Sequence, residues 1–227
     1  MDRWPEDRQS GAEMPPDHDE ILRLPAPVPT GLDGFVLWPQ AITIDQQNQI
    51  VDQLREIVRV APLYQPVTPG GRPFSVRMTN CGPLGWVSDR NGYRYQPHHP
   101  VTGQPWPDIP PLLLALWAQA TNHGPPPDAC LINFYDADAR MGLHQDKDEQ
   151  DFAAPVLSVS LGDTAVFRFG HADGGSTRSV KLASGDVCML SGPARLARHG
   201  VDRILSGTSR LLPSGGRINL TLRRAVK

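Results

Sequence analysis

Cysteine is scarce in this chain of 227 residues: Cys81, Cys130 and Cys188 stand far apart, and no Cys-x-x-Cys occurs. An odd number so spaced argues against a disulfide framework and a thiolate zinc site, and for a reducing cytoplasm. Long apolar runs are missing as well. None approaches the roughly 20 residues that cross a bilayer, so no membrane partner is expected. The opening residues, with Asp2, Glu6 and Asp7 and no apolar stretch, do not read as a secretory signal. Charge of one sign is lacking too. Lys and Arg total 22 against 24 Asp and Glu, a formal net charge of -2. That excludes a protein coating nucleic acid by bulk electrostatics, while a compact site touching a few phosphates stays allowed. No internal repeat is present. The remaining composition, 39% hydrophobic and 20% charged, suits one globular domain with a real core, expected as a monomer.

Residues 1–30 read as a flexible extension, because Pro5, Pro15, Pro16, Pro25, Pro27 and Pro29 interrupt any periodicity. Two helices are predicted beyond it. One follows Asp45, with Ile50, Val51, Leu54, Ile57 and Val58 recurring at steps of three and four. The other opens at Pro110-Pro111 and carries Leu112, Leu113, Leu116, Trp117 and Ala120 towards a stop at Gly124. From Cys130 the pattern changes to short β-rich segments at 131–135, 156–160, 165–169, 187–190 and 217–223, bounded by Gly, Asp or Pro. Helices first and many strands after predict a mainly β, α+β fold: a jelly-roll core buttressed by N-terminal helices.

The chemistry-bearing pattern is His144-Gln145-Asp146, followed by His199 and then by Arg217 and Arg223. Two imidazoles and one carboxylate form the facial triad that holds non-haem Fe(II) with coordination positions left open. In an extended segment His144 and Asp146 share a side, and a jelly roll can bring a distant His199 to them. A His-x-Asp triplet alone is a weak signal. A lone histidine is usually a surface or core residue, which is the reading given to His18, His98, His99, His123 and His171.

The last strand strengthens the triad. Arg217, Asn219, Thr221 and Arg223 share one face, while Ile218, Leu220 and Leu222 take the other. A solvated edge strand would show the same alternation. Beside a metal triad, however, the polar face reads as the wall of a pocket for a dianion, and a late arginine offers the planar cationic fork that grips the far carboxylate of 2-oxoglutarate. Asn133 and Tyr135 share parity and offer an amide and a phenol. Ser158 and Ser160 either line that pocket or alternate away from it.

Longer blocks extend the pattern: Met78-Thr79-Asn80-Cys81-Gly82 with Leu84-Gly85-Trp86, Gly92-Tyr93 and Tyr95, Leu143 through Glu149, Ser158 through Gly162, Arg195-Leu196, and His199-Gly200. With Asn133, Tyr135 and the Arg217–Arg223 strand, they resemble the AlkB family of Fe(II)- and 2-oxoglutarate-dependent nucleic-acid dealkylases over about residues 75–225. The resemblance implies a double-stranded β-helix at 31–227 with a nucleotide-recognition lid at about 62–98. Iron would bind to His144, Asp146 and His199. Arg217, helped by Asn219 and Tyr135, would hold the distal carboxylate of 2-oxoglutarate, with Arg223 and Asn133 near its metal-bound end. Trp86 would stack on the damaged base against His144, Tyr93 would contact the strand, Met78 would line the pocket, and Asp148 would meet the exocyclic nitrogen.

The implied activity is oxidative demethylation of bases such as 1-methyladenine and 3-methylcytosine in single-stranded DNA, with double-stranded DNA and RNA as further partners. Formaldehyde would be released, and 2-oxoglutarate and O2 consumed to give succinate and CO2. An oxygenase for modified tRNA and a non-catalytic module stacking on single-stranded nucleic acid are the alternatives. The setting of Trp86 and Tyr93, among Asn80, Ser88, Asp89, Arg90 and Asn91, reads as a loop-rich lid. Arg77, Arg90 and Arg94 are candidates for phosphates, although scattered surface arginines are commoner. Residues 170–178 look like a hairpin loop but do not align cleanly with the basic loop of the family, which leaves it open whether Arg178 contacts substrate.

Overall fold

The computed structural model describes residues 23–121 and 123–227. Most of the proline-rich extension therefore lies outside the described residues. Its last part packs on the body, where Leu24 meets the core and the Val28 amide bonds the Leu37 carbonyl at 2.8 Å.

Twelve strands and two α-helices follow: β1 (Phe35–Trp38), α1 (Ile44–Val60), β2 (Arg77–Cys81), β3 (Gly85–Asp89), β4 (Gly92–Gln96), α2 (Pro111–Ala120), β5 (Ala129–Tyr135), β6 (Met141–His144), β7 (Val156–Gly162), β8 (Thr164–Gly170), β9 (Arg178–Leu182), β10 (Val187–Leu190), β11 (Arg198–Leu205) and β12 (Arg217–Arg223). They make a six-stranded sheet, ordered β1-β10-β7-β12-β5-β2, and a four-stranded sheet, ordered β6-β11-β8-β9. Both are antiparallel, and together they form the expected jelly roll.

Both helices arise where the periodicity predicts them. Thr43 caps α1 in a reciprocal box with Gln46, which satisfies two amides that the first turn cannot. Ile50, Val51, Leu54 and Ile57 form its buried stripe. Proline opens α2, but the helix closes at Ala120 with Thr121 as cap, short of Gly124. Helix termination here follows Thr121 turning to extended backbone at φ -115, ψ 145, and no glycine is needed.

Two cores result. In the first, Ile218, Leu220 and Leu222 of β12 join Ile132, Phe134, Leu157 and Val159 under the helices. In the second, between the sheets, Phe35 meets Phe169 edge-on at 4.7 Å beside Leu131, Val156 and Val201. With both faces covered, β5 is buried along its whole length. No helix among the described residues is long and apolar enough to cross a membrane.

The segment read as a loop-rich lid is a β-hairpin. Its polar residues occupy the turn, where the Asn91 amide bonds Asp89 Oδ1 at 2.7 Å and Gly92 adopts φ 112. Period-2 alternation was obscured because glycine and polar residues also populate the flanking strands β3 and β4. This hairpin is a two-stranded sheet of its own.

A buried carboxylate sets the approach to β12. Asp163 accepts hydrogen bonds from the amides of Thr208, Ser209 and Gly216 at 2.9, 3.1 and 3.0 Å. Asp163→Ala strips three part-buried amides of their shared charged acceptor and should destabilise the fold by about 3 kcal/mol, read as a lower urea midpoint.

Candidate active site

The triad is assembled by pairing β6 with β11. His144 and His199 are directly opposite one another in that ladder, and directly opposed residues of an antiparallel pair project to the same face. Gly200 lets the strands close up, since a Cβ there would lie 2.5 Å from the Met141 carbonyl oxygen. Strand β6 ends at His144, and Asp146 follows in the next loop on the same side. The Nε2 atoms of His144 and His199 each lie 3.8 Å from an Asp146 oxygen, and the three ligand atoms fall within 4.8 Å of one another.

The backbone prepares both rings. Nδ1 of His144 faces the Gly142 carbonyl at 3.0 Å, and Nδ1 of His199 faces the Ala197 carbonyl at 2.9 Å. A carbonyl oxygen can only accept, so the ring nitrogen facing it donates: the proton sits on Nδ1 and the Nε2 lone pairs point to the centre. Burial first, and then His144, pulls the pKa of His199 down to about 4, partly offset by Asp146. The ring is therefore neutral at physiological pH, as a metal ligand must be. Burial pushes Asp146 upward, but Arg223 and then the two imidazoles outweigh it and hold the carboxyl well below the usual range. Arg223 grips both its oxygens, at 2.9 and 3.3 Å. This donor set fits a divalent iron with open positions.

Beyond the triad lies the polar face of β12. Register places Arg217 opposite Tyr135, and Asn219 opposite both Asn133 and Ser160, while Thr221 faces Ser158. The two serines thus turn inward: Ser158 Oγ donates to Asn219 Oδ1 at 2.9 Å, and Ser160 Oγ accepts from Arg217 Nη2 at 2.9 Å. Arg217 is 1% exposed. Its Nη2 also donates to Asn219 Oδ1 at 2.7 Å, and its guanidinium carbon sits 5.3 Å from the centre of the Tyr135 ring. No carboxylate pairs with it among the described residues, and its Nε and Nη1 have no hydrogen-bond partner. Burial lowers its pKa from the ordinary value. Asn133 Oδ1 is likewise buried and unpartnered, at an amide that, turned over, presents its NH2. A dry cation with spare donors fits one carboxylate end of 2-oxoglutarate.

The hairpin and the loop after Asp146 form the mouth. Trp86 and Tyr93 stack at 5.6 Å with an interplanar angle of 16°, and Trp86 Nε1 donates to Asp148 Oδ2 at 2.8 Å. Met78 lies opposite Asn133 on the neighbouring strand. All twelve residues singled out from the sequence border one cavity of about 400 Å³.

Other candidates are engaged elsewhere. Arg178 Nη1 donates to the Gly31 carbonyl at 2.7 Å, Arg77 pairs with Asp136 at 3.3 Å, and Arg94 pairs with Asp89 at 2.8 Å. His99 is saturated by the Pro62 carbonyl and the amides of Val101 and Thr102. His18 lies outside the described residues. The sequence offered Arg195 only as part of a motif block with no role of its own; its Nη1 holds the Asp146 carbonyl at 2.7 Å and its Nη2 meets Glu149 at 3.1 Å. Its signals were that block and its position four residues before His199, since charge alone suggests solvent.

The family model of the 2OG-Fe(II) oxygenase superfamily matches residues 34–223. The chain is 57% identical over 197 residues to the alpha-ketoglutarate-dependent dioxygenase AlkB homolog of Caulobacter vibrioides, covering 86% of this chain and 90% of that protein. It is 44% identical over 185 residues to the alpha-ketoglutarate-dependent dioxygenase AlkB of Escherichia coli, covering 79% and 85%. The solved structure of OsALKBH1 superposes with a TM-score of 0.75 at 31% identity, covering 88% of this chain and 100% of that one.

Arg217→Met removes a buried, unneutralised charge and keeps its bulk. Without co-substrate, the variant should match or exceed the parent in stability by about 1–4 kcal/mol. Its 2-oxoglutarate requirement should rise steeply. Urea unfolding and titration of co-substrate turnover check the two halves separately.

Proposed function

The chain belongs to the AlkB family of the 2OG-Fe(II) oxygenase superfamily, and from that premise we propose that it oxidatively demethylates N-alkylated nucleobases of the 1-methyladenine and 3-methylcytosine type in DNA. Fe(II) is its metal, and 2-oxoglutarate and O2 are its co-substrates. His144, Asp146 and His199 would hold the iron. Arg217, with Asn219 and Tyr135, would take the distal carboxylate of 2-oxoglutarate, and Arg223 and Asn133 would border its metal-bound end. When bound, iron with its co-substrates supplies the oxidant that hydroxylates the N-methyl carbon, yielding succinate, CO2 and, on loss of the hydroxymethyl group, formaldehyde.

The residues of the chain bind, orient and discriminate. The observation that carries the reading is that Trp86, Tyr93 and Asp148 share one cavity with the triad and the Arg217 face. A base methylated at a ring nitrogen is cationic at neutral pH. The Trp86 indole attracts such a ring by roughly 0.5–2 kcal/mol beyond ordinary contact. Asp148 adds a charge-assisted hydrogen bond to the damaged form that an unmodified base does not return equally. Met78 would line the pocket and Tyr93 would contact the strand. A cavity of this size takes one base out of the stack, which favours unpaired DNA or a lesion that has lost its pairing. RNA carrying the same cationic bases, tRNA included, would meet the same chemistry. We place the reaction in the cytoplasm; the three free cysteines support that.

Incubation of the protein with Fe(II), 2-oxoglutarate and a methylated oligonucleotide in air should give succinate and formaldehyde in equal amounts and an oligonucleotide lighter by one methyl group. The same mixture without O2 should give neither. Air-exposed samples yielding no product would defeat the reading. Asp148→Asn should lower the preference for cationic over neutral bases by about tenfold in kcat/KM, the equivalent of roughly 1.4 kcal/mol. His144→Ala should abolish iron binding and turnover together, whereas a stacking module without chemistry would retain its function.

A further inference from the structure

The β3–β4 hairpin has its own two-stranded sheet, so side chains determine how it sits on the barrel. Trp86 and Tyr95 are directly opposed across it and therefore share a face. Their polar ends reach consecutive residues of the loop that begins with the metal ligand Asp146. The Trp86 indole bonds Asp148, as described above, and the Tyr95 hydroxyl donates to Glu149 Oε1 at 2.5 Å. These attachments differ in kind. The first is exposed at the mouth and can exchange with water. The second is part-buried, ending on the buried Glu149, and Tyr95 does not border the cavity.

Glu149 leads further in. Its side chain is 2% exposed, and that of Arg195 is 3% exposed. Oε2 pairs with Arg195 Nη2 at 3.1 Å, and Oε1 lies 3.4 Å from Arg223 Nε. That same Arg223 grips the Asp146 carboxylate, and that same Arg195 bonds the Asp146 backbone carbonyl. Two buried arginines thus hold two carboxylates, one belonging to the metal triad and one to the hairpin's anchor. Away from water, such a network has few satisfied arrangements, so moving one member displaces the rest.

We propose that Tyr95 and Glu149 are positioning residues that couple the base-binding hairpin to the metal centre. Loading the centre fixes Asp146, which fixes Arg223 and Glu149 and through them the hairpin; a base seated on the hairpin acts in reverse, because coupling of binding free energies is reciprocal. The inference rests on the function proposed above.

The test is fluorescence anisotropy of a labelled single-stranded oligonucleotide carrying 1-methyladenine. The full chain is titrated with and without Mn(II) and 2-oxoglutarate, Mn(II) being used to prevent turnover. In the parent protein, loading should tighten oligonucleotide binding. Tyr95→Phe, which removes one hydroxyl, should bind the oligonucleotide within about twofold of the parent in the unloaded state, and the tightening on loading should shrink by about fivefold or more. Glu149→Gln keeps an acceptor for Tyr95 but takes charge from both arginines, and should weaken both the tightening and Mn(II) affinity. A Tyr95→Phe protein with the parent's tightening factor overturns the proposal. So does one weakened equally in both states, which would mark the phenol as merely structural. A parent protein that does not bind the methylated oligonucleotide would overturn the function itself, and the coupling with it.

Discussion

The buried ion pair between Asp146 and Arg223 is the constraint on which the site turns. A carboxylate held away from water would take up a proton and lose its value as a ligand. The guanidinium prevents this and, by gripping both oxygens, also fixes the plane of the carboxylate. Arg223 comes from the end of β12 in the large sheet, and Asp146 from the loop after β6 in the small one. The pair therefore sets the spacing of the two sheets where the cavity lies between them. Removing Arg223 leaves the buried Asp146 carboxylate without its cation, a loss of about 3–5 kcal/mol, whereas Arg223 without Asp146 still faces Glu149 at 3.4 Å.

Charge is distributed unevenly around that pair. On the side of Asp146 and Glu149, two arginines meet two carboxylates. Deeper along β12, Arg217 has hydroxyl and amide neighbours but no anion. The difference distinguishes these positions more clearly than burial does, since all three arginines are buried. An arginine whose charge is balanced by carboxylates of the chain is held in place by them. One that stays unbalanced in a dry wall calls for an anion from outside.

Much of this was legible because strand parity is robust. Arg217, Asn219, Thr221 and Arg223 alternate with three apolar residues, and the register bears out one polar and one apolar face. The triad was legible from residue types, and its convergence followed from jelly-roll topology. Less visible were features that depend on what covers a face. Ser158 and Ser160 could have pointed either way until β12 was placed beside β7. The burial of Arg195 and Glu149 was hidden because long charged residues usually lie in water; their mutual pairing, with Arg223 and Tyr95 also on Glu149, allows it. The hairpin escaped detection because its turn residues resemble those of an irregular loop.

That hairpin has an evolutionary consequence. Among the described residues, apart from a single bridge between Leu84 and Ala129, no backbone ladder joins it to the barrel, and so its sequence can drift without disturbing the pleat of either large sheet. Diversification of what is recognised can proceed on a detachable module while the oxidative machinery is inherited unchanged. What must travel with any graft is the pair of side chains that plug into the adjoining loop, together with Asn80, whose side chain bonds both the amide and the carbonyl of Trp86 at 3.0 Å.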